Sequence, residues 1–145
     1  MVTRKPIGKP MDSGGRVWDV ALGQAGDGPV VASVGDDGRL RMWDPTTRRL
    51  IGAPVPTGHA DGTRTVTIGE INGRPVVLTG GDEDSDGGGS VRVWDLDTLD
   101  PLGEELEYGD WVGSVAIAQV DGKAVAVTGE DDGEVRMREL SAYAR

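Results

Sequence analysis

The sequence predicts an all-β fold built from repeated four-stranded antiparallel sheets. Three stretches alternate polar and apolar side chains, as half-buried strands do, and resemble one another: Arg39–Asp44, Ser90–Asp95 and Glu134–Glu139. Trp43 and Trp94 lie 51 positions apart, and Trp94 and Arg138 lie 44 apart, so the copies form an internal repeat. The 24 glycines also favour many short strands joined by tight turns over long helices.

Each repeat begins with a strand D and a strand A. Strand D carries a glycine after an apolar residue, at 6–11, 50–55 and 101–106. The first two copies also carry a proline two residues beyond that glycine, which favours an edge strand. Strand A follows a turn-rich segment, at 17–23, 63–69 and 112–118.

Strand B follows a short hairpin and is apolar on both faces, as a strand covered on both sides should be. Its copies lie at 29–33, 75–79 and 124–128. Two of the A-to-B links contain Asn72-Gly73 and Asp121-Gly122, which are strong hairpin signals. Strand C is the stretch described first, and it follows links rich in aspartate and glycine.

This order divides the chain into a leader at 1–5 and three units within 6–145. Strand D at 6–11 is followed by strands A, B and C over 16–44, and the D-A-B-C order then repeats over 50–95 and 101–140. Four short strands in about 45 residues with a Trp-Asp ending are typical of a β-propeller blade.

The net charge of −10 argues against nucleic acid and anionic membranes as partners, because both would be repelled. No apolar run is long enough for a signal peptide or a membrane span, so we expect a cytoplasmic protein. Without cysteine and with one histidine, the chain lacks a spare base for a hydrolase triad. The sequence therefore predicts a protein that is not an enzyme and needs no cofactor.

The chain resembles the WD-repeat β-propeller family, of the glycine-rich type common in bacteria. The resemblance runs from Pro6 to Leu140 and rests on two Trp-Asp pairs, three Asp-Gly turns before strand C and Gly58-His59. It implies a buried tetrad of His, Ser or Thr, Asp and Trp in each blade. The second blade has all four members: His59, Thr79, Asp86 and Trp94. The first blade keeps Ser33, Asp37 and Trp43, with Ser13-Gly14 where the histidine is expected, and the third keeps Thr128 and Asp132, with Arg138 in place of the tryptophan.

Three blades are too few for a closed ring, since propellers usually have 4–8 blades. The chain starts with strand D and ends after strand C, so residues 6–11 of one copy are expected to pair with residues 134–140 of the next. The predicted oligomer interface contains Ile7, Met11, Val135 and Met137. A homodimer with six blades is favoured, and a homotrimer with nine is the alternative. The competing interpretation is a fragment of a longer repeat protein.

The D-to-A links and the B-to-C links lie at one end of a propeller. That end is expected to collect aromatic and basic side chains among many acidic ones: Arg16, Trp18, Arg64, Tyr108 and Trp111. Aromatic anchors in an acidic field favour a basic peptide or protein as partner. The alternative is that Trp18 and Trp111 pack under their own loops.

Asp82, Asp84 and Asp86 match the start of a calcium loop, which needs carboxylates at alternate positions. The ninth and twelfth loop positions are Ser90 and Val93, and the twelfth should be a glutamate. The function predicted from the sequence is a non-catalytic scaffold that binds proteins and assembles head to tail. The alternatives are a recently amplified repeat protein that only assembles with itself, and a calcium-binding propeller module.

Overall fold

The computed structural model describes residues 5–59, 62–82 and 88–143, and this part of the chain forms three antiparallel sheets. Blade 1 consists of β1 (Val17–Ala25), β2 (Gly28–Gly35), β3 (Arg39–Trp43) and β4 (Val55–Pro56). Blade 2 consists of β5 (Thr63–Ile71), β6 (Arg74–Asp82), β7 (Gly89–Asp95) and β8 (Leu106–Tyr108). Blade 3 consists of β9 (Val112–Val120), β10 (Lys123–Glu130) and β11 (Val135–Glu139), followed by a 3-10 helix at Ser141–Tyr143.

Within each sheet the strands pair in chain order, so every blade is a meander. Strands lie where A, B and C were expected, and the prediction of an all-β fold made of propeller-type antiparallel sheets is confirmed. The hairpins of blades 2 and 3 turn at Asn72-Gly73 and Asp121-Gly122, where all four residues have φ between 51° and 79°. Positive φ at both central residues is the conformation of a type I′ turn, which matches the twist of paired strands.

Strand D departs from the prediction in its position. The expected strands at 50–55 and 101–106 are replaced by shorter strands that lie later in the chain, at Val55–Pro56 and Leu106–Tyr108. Only isolated bridges, from Trp43 to Leu50 and from Trp94 to Pro101, remain of the earlier pairing. Gly52 and Gly103 explain the break, because their left-handed φ of 70° and 69° turns the chain away from its neighbouring strand. Residues 6–11 form no strand within the single chain.

The blades stack face to face through their first strands, β1, β5 and β9. One apolar core lies between blades 1 and 2 and includes Ala32, Leu40 and Val77. The other lies between blades 2 and 3 and includes Leu78, Val91 and Val115. We call the contact between two successive blades a seam. In the described residues, no helix is long and apolar enough to cross a membrane.

Candidate functional site

Blade 2 contains a buried network centred on the hydroxyl of Thr79. The indole Nε1 of Trp94 donates to Thr79 Oγ1 at 3.0 Å, and Nε2 of His59 lies 3.2 Å from the same oxygen. The other ring nitrogen, Nδ1, lies 3.0 Å from the hydroxyl of Ser90. His59 is therefore held on both nitrogens inside the fold. Asp86, the fourth predicted member, lies outside the described residues, and Ser90 was not predicted.

Blade 1 keeps only part of this network. The indole of Trp43 donates to Ser33 Oγ at 2.8 Å, and both side chains are buried. Asp37 lies apart from that pair: it accepts from Arg41 at 2.7 Å and from the backbone N–H of Arg39 at 3.1 Å. The hydrogen bond from Arg41 holds the pKa of Asp37 below its usual value. Without an imidazole to bridge them, the carboxylate caps the turn instead of joining the serine.

The last residue of β8, Tyr108, lies beside blade 3 at the offset that His59 has beside blade 2. Tyr108 stands four residues before β9, as His59 stands four residues before β5. Only 6% of Tyr108 is exposed, and burial raises the pKa of its phenol, while the charge of Arg138 and, less strongly, the Thr128 hydroxyl oppose that rise. The guanidinium of Arg138 lies over the ring, with Cζ 4.3 Å from its centre. Tyr108 is thus part of the seam between blades 2 and 3, and its assignment to a partner-binding surface was wrong.

The turn before β11 is stabilised by charge. Asp132 accepts from the backbone N–H of Glu134 at 2.9 Å, so it caps this turn as Asp37 does in blade 1. Arg136 reaches the fully buried side chain of Glu130, with 2.6 Å between Nε and Oε2. Nothing in the repeat pattern singled out Glu130, which occupies a position held by glycine in the other two blades.

The remaining predicted surface residues separate into two groups. Arg64 of β5 stacks on Trp111 at 4.6 Å and lies 3.1 Å from the carboxylate of Asp82, so the indole packs on the end of the neighbouring blade 2. Trp18 is 54% exposed on β1, and Arg16 lies 5.9 Å from its ring centre. The five residues expected on one surface therefore do not form a single cluster.

The predicted calcium ligands are only partly described. Asp82 is buried at the end of β6 and paired with Arg64. Asp84 and Asp86 lie outside the described residues. Among the residues that are described, no group of three or more His, Asp or Glu side chains could hold a metal ion.

The two ends of the three-blade stack expose apolar side chains. The predicted interface residues are exposed, from 38% for Met11 and 64% for Met137 to 75% for Val135 and 86% for Ile7. Val20 and Leu22 of β1 are also exposed, although they were not among the predicted interface residues. Alternation along β1 and β9 was the signal that could have identified them, because it places one side of each strand outside the internal seams. We call the outward sides of blade 1 and blade 3 the open faces.

The three antiparallel sheets are stacked, and in two of them a tryptophan on the third strand donates to a serine or threonine on the second. This is the fold of WD-repeat β-propeller proteins. No protein-family model matches the chain. It is 28% identical over 117 residues to the U3 small nucleolar RNA-associated protein 18 homolog of Arabidopsis thaliana. The matched region covers 81% of this chain and 19% of that protein.

The fold is also found in solved structures. The structure of U3-55K has a TM-score of 0.67 and 21% identity over 94% of this chain and 38% of that one. The RRP9 WD40 repeats have a TM-score of 0.64 and 21% identity over 88% of this chain and 35% of that one. The chain therefore spans little more than a third of these structures and about a fifth of the Arabidopsis relative.

Proposed function

We propose that this chain is a non-catalytic scaffold that binds proteins, and that its copies join head to tail into a closed propeller. The observation that carries this proposal is the conformation of the segment before β1. Gly8 has a φ of 69°, beside 70° for Gly52 and 69° for Gly103. Residues 6–11 thus have a left-handed glycine at the same position as the segments 50–55 and 101–106. Unlike those two segments, residues 6–11 have no neighbouring third strand within the described residues of the chain.

The contacts of the D segments indicate what residues 6–11 would bind. In blade 1 the backbone N–H of Ile51 donates to the carbonyl of Met42 at 2.7 Å, and in blade 2 that of Leu102 donates to Val93 at 2.8 Å. The repeat makes Ile7 equivalent to the two donors and Met137 to the two acceptors. The N–H of Ile7 in one copy is therefore expected to donate to Met137 in the next copy, along the free edge of β11.

Six blades in a homodimer fall within the usual propeller range, whereas the nine of a homotrimer exceed it. We therefore favour the dimer. Sedimentation or light scattering should give twice the 15.2 kDa mass of the chain, and three times that mass would select the trimer. A wild-type chain that stays monomeric at high micromolar concentration would overturn the proposal.

A substitution at Gly8 tests the route of assembly. Gly8→Val should release monomers, because a β-branched residue strongly disfavours the left-handed conformation. Gly14→Val is the matched control, since Gly14 also has a positive φ, of 84°, but lies outside the D segment. Equal dissociation by both variants would argue against pairing through residues 6–11.

A second binding function is favoured by Trp18, which is exposed beside Arg16 in a chain of net charge −10. An acidic surface with an aromatic anchor suits a basic segment of another protein. A lysine-rich peptide should quench Trp18 fluorescence, and Trp18→Ala should weaken binding while Trp111→Ala leaves it unchanged. The same charge opposes direct contact with RNA, so the RNA-associated name of the Arabidopsis relative suggests shared protein contacts. We also propose that the protein is cytoplasmic and that it belongs among glycine-rich bacterial WD-repeat proteins.

A further inference from the structure

The two internal seams use one packing device. The sixth residue of each first strand is Leu22, Ile68 or Ile117, and the seventh is Gly23, Gly69 or Ala118. A Cβ atom on Gly23 would overlap the Cγ2 methyl group of Ile68, and one on Gly69 would overlap that of Ile117. Each isoleucine therefore seats in a socket that exists because the preceding blade has glycine there.

The internal seams also share two hydrogen bonds across the blades. Asp19 Oδ2 accepts from the backbone N–H of Val66 at 3.1 Å. One blade further, Thr65 Oγ1 accepts from Val115 at the same distance. The donor is the fourth residue of a first strand in both cases, and the acceptor is the third residue of the preceding first strand.

The open faces carry residues equivalent to those of the internal seams, but two of the contacts differ. Leu22, the isoleucine equivalent, is 72% exposed on blade 1. The socket position it would meet on blade 3 holds Ala118, whose Cβ fills the space that glycine leaves open. The N–H of Val20, equivalent to the two donors above, already donates to Asp19 Oδ1 within its own blade, at 2.9 Å.

One hydrogen bond of the internal seams can also form between copies. Gln119 Nε2 donates to the carbonyl of Glu70 at 3.1 Å between blades 3 and 2. Gln24 is the equivalent residue of blade 1, so it can donate in the same way to the carbonyl of Gln119 in another copy. The matching apolar faces and this amide contact fit a further blade of the same repeat as the occupant.

We infer that a second copy of this chain covers the open faces and that Ala118 makes the seam between copies the loosest in the ring. This inference rests on the ring proposed above. Because the Leu22 side chain cannot pack fully against Ala118, the ring opens and exchanges subunits at this seam. The seams inside each chain, which have glycine at this position, stay closed. Position 118 therefore sets how tightly copies hold one another.

The test is Ala118→Gly, which opens the socket for Leu22. Burying about two more methylene equivalents at a seam should lower the dissociation constant about tenfold for each seam, and a dimer ring has two such seams. It should also slow the exchange of subunits between donor-labelled and acceptor-labelled rings, followed by fluorescence energy transfer. Ala116→Gly is the matched control, since Ala116 lies on the same strand and the same exposed side but two residues from the socket.

The possible results separate this inference from the ring itself. Tighter association and slower exchange with Ala118→Gly, but not with Ala116→Gly, would support it. If rings form and Ala118→Gly leaves the dissociation constant unchanged or raises it, the role of position 118 is wrong while the ring stands. If every variant is monomeric, the ring proposal also fails, and the open faces are then covered by blades of a different sequence or by another protein.

Discussion

Replacing Thr79 by valine should destabilise the protein more than the same change in blade 3. Thr79 is fully buried, and its hydroxyl accepts from Trp94 while lying 3.2 Å from a nitrogen of His59. Valine has the same shape, so the substitution removes the hydroxyl without opening a cavity. What remains is a buried indole N–H without its acceptor and an imidazole without one of its partners.

The magnitude follows from those two losses. An unsatisfied buried donor costs about 1–3 kcal/mol, and the lost bond to the imidazole about 1 kcal/mol, so Thr79→Val should lower the free energy of unfolding by about 2–4 kcal/mol. Thr128→Val should cost well under about 1 kcal/mol, because the Thr128 hydroxyl makes no hydrogen bond of good geometry among the described residues. Ser33→Ala should fall between them at about 1–3 kcal/mol, since only the indole of Trp43 loses its acceptor.

Urea unfolding followed by tryptophan fluorescence measures these differences. All variants must be compared at one protein concentration, because self-association would add a concentration-dependent term to the stability. If Thr128→Val costs as much as Thr79→Val, the hydrogen bonds of blade 2 do not account for the effect and the reasoning fails.

Three further outcomes are expected. Tyr108→Ala should cost about 3–5 kcal/mol in thermal or urea unfolding and Tyr108→Phe under about 1 kcal/mol, because the ring packs in a seam while its hydroxyl makes no well-formed hydrogen bond among the described residues. Burial alone would raise the pKa of Asp95, but the amide of Thr98 and the guanidinium of Arg74 hold it below the ordinary 3.8. The stability that the ionised Asp95 contributes is therefore present above pH 3.8 and lost as the pH falls through the folded-state pKa. Asp95→Asn should thus flatten the loss of stability at acidic pH. Sedimentation should show tighter assembly at higher salt, since each chain carries a net charge of −10 and screening reduces the repulsion between copies.

The strands that lay where the sequence placed them are those specified by local signals. Alternation fixes which side of β3 faces the core, where Leu40 and Met42 are buried, and Asn72-Gly73 fixes the hairpin between β5 and β6. The position of strand D depends instead on a left-handed glycine such as Gly103 and on which residues of the neighbouring strand lie within reach. Glycine in a sequence does not reveal its φ, and the pairing is set by the stacked blades, so the offset was beyond local patterns.

The tetrad shows a similar division. Trp43 with Ser33, and Trp94 with Thr79, followed from position in the repeat, and each indole donates to the hydroxyl of its partner. Tyr108 was misplaced because the tetrad implies a histidine at this offset, whereas here a tyrosine lies near the equivalent Thr128. Counting back four residues from β9 would have identified it.

The departures from the repeat in blade 3 have a common physical explanation. β11 is an edge strand in the single chain, and an exposed apolar edge is a template for uncontrolled pairing. A tryptophan at position 138 would add a large apolar group there, whereas Arg138 places a cation on the edge and still packs on Tyr108. Arg136 and Glu139 add further charge beside the exposed Val135 and Met137.

Such an edge resists pairing with unrelated strands, yet it leaves the backbone of Met137 available to a segment already shaped like strand D. In the proposed ring, the charged edge and the Cβ of Ala118 would both weaken chance contacts of blade 3, so that assembly would depend on the matched segment at residues 6–11.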